Sequence, residues 1–287
     1  MHFTVSKIYI QPNKHLGLVF RPRSGSHILR HYLSDLAERI NIGEWVNHRV
    51  ESYDVRIRSG EVLVAPRGKP TTLQDQQLLQ RSLSNIELLD QLSELNVYTV
   101  FGVLTQSYMY KYPHLSTRLA SRPDIQLIRV ERADVLYSLI STEVAKASSM
   151  WHNMNETGST LLRRSVDNFK MNGLERALQM YIQEQDEIMK SFGNLQTIYY
   201  EQFQHTPAAL RHLFSGIPQR IVSFPFNKFV GNHKGLISNL EEVEDCYEQF
   251  VNDHKEYFPQ YFGKLPEITI PVCQGRQPRN LSLREAA

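Results

Sequence analysis

Residues 15–33 read HLGLVFRPRSGSHILRHYL: a six-residue run suited to a buried strand, a turn on Arg-Ser-Gly-Ser, and then apolar residues at helical spacing. Ile28, Leu29, Leu33, Leu36 and Ile40 keep that three- and four-residue rhythm, so the predicted order is strand, turn, helix. Further pairs of short β-type and longer helix-period runs follow, a pattern that favours a parallel sheet with helices packed on both faces. The predicted class is α/β, a three-layer domain with a mainly parallel central sheet.

The remaining elements are read the same way. Residues 41–72 lack a clean period and are predicted as loops with a short hairpin around VRIRSGEVLV, the expected place for an acceptor pocket. A helix is predicted over 74–95, strands at VYTVFGVL (97–104) and IQLIRV (125–130), and a helix from Asp134 to Met150. After a polar stretch, GLERALQMYIQEQDEIMKSF gives another amphipathic helix and LQTIYYE (195–201) a third good sheet strand. TPAALRHLFSGI reads as a helix announced by Thr206 and Pro207 and closed by Gly216, and SNLEEVEDCYEQF as one capped by Ser238 or Asn239. One domain is expected over 1–270, with a loosely ordered tail at 271–287.

Charge and cysteine usage narrow the function. With 32 Lys+Arg against 30 Asp+Glu there is no overall field to draw nucleic acid. The first twenty residues break their apolar run with Lys7, Pro12 and Lys14, so neither a signal core nor an integral membrane segment is expected. Cys246 and Cys273 lack CxxC or Cys/His spacing, which argues against zinc and for a reducing cytoplasm. No metal site is expected, and the Asn155 and Asn280 sequons carry no weight there. GxxxxGK[ST] is missing and Gly68-Lys69 runs into Pro70, so a Walker NTPase is excluded; GxGxxG is missing too, which removes NAD.

The turn at 23–27 suits an anion. Where a parallel strand feeds a helix, unpaired backbone N–H groups converge on one spot and the helix dipole adds positive charge. Gly25 would let backbone approach closely, Ser24 and Ser26 add hydroxyls, and Arg23 can make two parallel charge-assisted bonds to phosphate. The competing interpretation is a plain serine cap with Arg21 and Arg23 solvated.

A second stretch, LIRVERADVLYSLISTEVAKASSMWH (127–152), adds to it. Together the two resemble PAPS-dependent sulfotransferases, most closely the bacterial trehalose sulfotransferase group. That family ends a strand in an R-S-G-S-T loop, and after a later strand carries Arg, a small residue, Asp-Val and, nine positions after the Arg, Ser. Here these are Arg132, Ala133, Asp134-Val135 and Ser141, with Ala145 and Trp151 at the further family spacings. The resemblance implies a P-loop-like sulfotransferase fold. It implies that Arg23, Ser24, Gly25, Ser26 and His27 hold the 5′-phosphosulfate end of PAPS, and Arg132 and Ser141 its 3′-phosphate, with adenosine 3′,5′-bisphosphate as product.

Two departures stand out. His27 replaces the family threonine, and the family's Gly-Glu-Pro-x-Glu-aromatic segment survives only as GEWVNH. Counted from the loop, Glu44 falls at the catalytic glutamate; aligned on Gly-Glu it becomes the substrate-binding one. Sulfuryl transfer needs a base within reach of the acceptor hydroxyl, with Glu44 the first candidate and His48 the second. The implied reaction sulfates a small-molecule or glycan hydroxyl, on a saccharide or glycolipid. The other reading is a nucleotide-binding protein that has kept the fold and lost the base. Oligomeric state stays open, a homodimer among the options.

Overall fold

A computed structural model describes residues 7–37, 39–42, 53–58, 61–66, 81–83, 85–105, 113–148, 169–203, 210, 213–217 and 234–254. In chain order the strands are β1 (Ile8–Tyr9), β2 (His15–Phe20), β3 (Ile40–Asn41), β4 (Tyr53–Arg58), β5 (Glu61–Pro66), β6 (Arg81–Leu83), β7 (Thr99–Leu104), β8 (Ile125–Glu131), β9 (Thr197–Tyr199) and β10 (Phe214–Ser215). The helices are α1 (Ser26–Ala37), α2 (Asn85–Glu94), α3 (Pro113–Ala120), α4 (Val135–Ser148), α5 (Met171–Phe192) and α6 (Leu240–Asp253).

Five strands form one sheet in the order β3-β7-β2-β8-β9, and every neighbouring pair is parallel. The central strand, HLGLVF, is buried at all six positions, as an apolar run without alternation requires when both faces are covered. Its side chains divide with period two. Leu16, Leu18 and Phe20 pack with Leu29, Tyr32, Leu33 and Leu36 of α1. Val19 turns to the opposite face and joins Phe101 and Val103 of β7, Leu89 and Leu92 of α2, Leu119 of α3 and Ile188 of α5. The result is an α/β arrangement with helices on both faces of a mainly parallel sheet. A third cluster binds α4, α5 and α6 through Ile140, Val144, Leu174, Leu178, Val243 and Tyr247.

Strand order positions a crevice. The chain leaves β2 toward β3, on one side of the sheet, and leaves β8 toward β9, on the other. Adjacent parallel strands whose connections depart in opposite directions open a gap at their carboxyl ends, the place where α/β sheets take ligands. Here that gap lies between the turn after Phe20 and the turn after Glu131.

Several expectations need correcting. The helix predicted over 74–95 is interrupted: Arg81–Leu83 is a strand pairing antiparallel with Tyr53–Val55, and the described helix runs Asn85–Glu94, while residues 74–80 lie outside the described residues. The hairpin in 41–72 is present and gains β6 as a third strand, giving the order β5-β4-β6. The strand expected over 195–201 is shorter, 197–199, since Tyr200–Gln202 curls into a 3₁₀ turn. The helix expected to run to Gly216 does not: Phe214–Ser215 is extended and pairs with Ile8–Tyr9, a strand not anticipated. Asn239 stands at the start of α6, but its side-chain oxygen accepts from the Phe169 N–H at 2.8 Å instead of capping the helix. None of the described helices is long and apolar enough to cross a membrane.

Candidate functional site

The turn after β2 is tight and partly left-handed. The Ser24 N–H donates to the Arg21 carbonyl at 3.3 Å, Arg23 has φ 66° and Gly25 φ 80°, and the Leu29 N–H closes the first helical bond onto the Gly25 carbonyl at 3.2 Å. A non-glycine residue with positive φ costs about 1 kcal/mol or more, and such residues concentrate at sites where geometry matters. Gly25 has a packing reason as well: a Cβ there would lie 2.2 Å from Cδ2 of Tyr200. Ser24 is 2% exposed and its hydroxyl has no hydrogen-bond partner. Ser26 is buried at the helix start, while His27 stacks on His31 one turn along α1, ring centroids 4.7 Å apart.

Three of the residues singled out from sequence meet here. Arg23 Nε donates to Ser141 Oγ at 3.0 Å, and Arg132 Nη1 donates to the Arg23 carbonyl at 3.3 Å. Ser138, one turn before Ser141 on α4, donates its hydroxyl to the Pro22 carbonyl at 3.4 Å. Helix α4 therefore stitches the turn after β2 to the turn after β8. Ser141, which the resemblance pairs with Arg132 at the 3′-phosphate, accepts Arg23 Nε through its hydroxyl.

Arg132 is held on several sides. Its guanidinium carbon lies 4.4 Å from the ring centroids of both Tyr137 and Tyr200, two cation–π contacts. Nε faces Glu201 Oε1 at 3.6 Å. The same carboxylate accepts the Ala133 N–H at 2.9 Å and the Asp134 N–H at 3.4 Å, and Asp134 in turn caps α4 by accepting the Tyr137 N–H at 2.8 Å. Burial pushes the Tyr200 phenol above its ordinary value, with Arg132 pulling the other way.

The opposite face carries a polar group that sequence reasoning missed. Arg21, the first residue past β2, pairs through Nε with Glu184 of α5 and lies 4.4 Å from the Tyr181 ring centroid. Thr105 donates to the same Glu184 oxygen at 3.5 Å, and the other oxygen, buried, has no hydrogen-bond partner. Beside it Arg129 pairs with Glu131 and Gln185. A usable signal was present: Leu174, Leu178, Tyr181, Glu184 and Ile188 mark the buried stripe of α5, so Glu184 is a charged residue at an apolar position.

Glu44 and His48, the candidate bases, lie outside the described residues, as do Trp151 and the tail at 271–287. The arrangement at the crevice thus offers two arginines, a buried hydroxyl without a partner and a helix N-terminus, the components of an oxyanion-binding cradle. No family model matches this chain, and no curated protein or solved structure gives a significant match.

Proposed function

We propose that this chain is a PAPS-dependent sulfotransferase that moves a sulfuryl group from PAPS to a hydroxyl of a saccharide or glycolipid, on a P-loop-like sulfotransferase fold. The observation that carries the reading is that two motifs about a hundred residues apart in sequence meet at one crevice, where Arg132 touches the Arg23 backbone and Arg23 touches Ser141. Supporting it, Ser24 presents a buried hydroxyl in need of a partner, at the N-terminus of α1, where backbone N–H groups favour an oxyanion.

On this reading the turn at 23–27 takes the 5′-phosphosulfate and the Arg132 turn the 3′-phosphate. The acceptor hydroxyl attacks sulfur in line; its oxygen bonds to sulfur as the bond from sulfur to the bridging phosphate oxygen breaks, and adenosine 3′,5′-bisphosphate leaves. The acceptor proton passes to a base, Glu44 or His48. Arg23 and the turn N–H groups meet the charge that grows on the bridging oxygen.

Thermal unfolding with and without adenosine 3′,5′-bisphosphate tests the reading. A ligand that binds only the folded state at one hundred times its Kd stabilises by about 2.7 kcal/mol. The expected result is a rise in Tm with millimolar bisphosphate that ATP does not reproduce. Equal indifference to both nucleotides would sink the proposal.

A further inference from the structure

Resting on the reading above, we infer that Glu201 is a positioning residue, which fixes Arg132 so that one end of its guanidinium is presented to the incoming 3′-phosphate. The inference starts from the unusual completeness of the grip. The Tyr137 and Tyr200 rings each lie 4.4 Å from the guanidinium carbon, Glu201 occupies the Nε edge, and Nη1 is committed to the Arg23 carbonyl. Among the described residues, Nη2 has no hydrogen-bond or ion-pair partner. Its two N–H groups are the donors that a phosphate oxygen would complete. The Arg132 side chain is 13% exposed.

Glu201 holds more than the side chain. By accepting the Ala133 and Asp134 N–H groups it also fixes the backbone between β8 and α4, and so the origin from which Arg132 projects. A carboxylate this close has two opposed effects on an arriving phosphate. It repels the phosphate through its charge, and it removes the cost of ordering a long, rotamer-rich side chain at the moment of binding. Groups that orient a ligand-binding side chain from behind carry about 10- to 100-fold in affinity at metal sites. Like-charge repulsion is weaker here, because the positive guanidinium lies between the carboxylate and the phosphate and offsets much of it. Positioning therefore dominates, and removing the charge should weaken binding.

The sign of the effect is the test. Bisphosphate affinity is measured by calorimetry for the full chain, Glu201→Gln, Arg132→Lys and the double variant. Glu201→Gln keeps one carbonyl acceptor and loses the charge; its Kd should rise at least tenfold, and this rise should shrink below threefold when Arg132 is already lysine. An unchanged or tightened Kd in Glu201→Gln, or the same rise in both backgrounds, would overturn the inference while leaving wild-type binding, and with it the proposed function, intact. Absence of bisphosphate binding by the wild-type chain would instead remove the reading on which the inference rests. Should Glu201→Gln fail to fold, Tyr137→Leu, which strips one ring from Arg132 and leaves the carboxylate in place, should still raise Kd several-fold, and an unaltered Kd there would equally count against the inference.

Discussion

Replacing Gly25 by alanine probes the anion turn with the least added mass. The new Cβ would stand 2.2 Å from Tyr200 Cδ2, 2.8 Å from Cε2 and 3.2 Å from Cγ, whereas carbons at their optimum are roughly 3.5–4.0 Å apart. The ring has little room to retreat, because Arg132 lies 4.4 Å from its centroid and Phe203 meets it edge-on with centroids 5.4 Å apart. Overpacking of this kind costs about 1–3 kcal/mol. The backbone at φ 80° adds a second penalty, since a Cβ in left-handed conformation costs about 1–2 kcal/mol. Gly25→Ala should thus destabilise the protein by about 2–5 kcal/mol. Urea unfolding of the wild type, Gly25→Ala, Tyr200→Ala and the double variant separates the two parts. With the ring gone only the backbone penalty remains, so the cost of the alanine should fall to about 1–2 kcal/mol. A cost below 1 kcal/mol in the wild-type background, or an equal cost with and without the ring, would refute the assignment of Tyr200 as the wall of this turn.

Other outcomes follow from the same contacts. His15 is fully buried between β7 and α2: it accepts the Thr99 N–H on Nδ1 at 3.1 Å and donates from Nε2 to Ser93 Oγ at 2.9 Å, and burial lowers its pKa from 6.5 to about 4. The unfolded chain therefore binds the extra proton between those values, and stability should be level above pH 6.5 and fall by roughly 3 kcal/mol as pH drops to 4, a slope that His15→Gln should flatten in pH-dependent urea titrations. Glu184→Ala leaves Arg21 without its carboxylate and should cost about 3–5 kcal/mol by chemical unfolding, while joint replacement of Arg21 and Glu184 by leucine should recover most of that loss. Gly17→Ala puts a Cβ 2.6 Å from Leu127 Cδ2 and 2.9 Å from the Phe101 ring, so a loss of about 1–3 kcal/mol is expected.

Much of the sheet could be read from local sequence because its longer strands are largely apolar and mostly buried on both faces. HLGLVF, VYTVFGVL and IQLIRV need no partner to declare themselves. Two-residue strands such as Ile8–Tyr9 and Phe214–Ser215 carry no period at all, and only their pairing across the chain creates them. The same contrast runs through the candidate site. Arg23, Arg132 and Ser141 were visible because each sits in a motif with fixed spacing. For Tyr200 and Glu201 the contacts could not be assigned from sequence, since only tertiary packing brings them against Gly25 and Arg132. Glu184 lay between: its place on the apolar stripe of α5 marked it as odd, but Arg21 as its partner depended on the docking of that helix.

The strand order has a consequence for biosynthesis. HLGLVF is made well before the two strands that flank it, Thr99–Leu104 and Ile125–Glu131. Throughout that interval this fully buried strand has no sheet neighbour, and a nascent chain in that state is prone to stick to others. Folding of this protein should therefore be markedly sensitive to translation rate and chaperone supply up to the emergence of residue 131, and far less so afterwards.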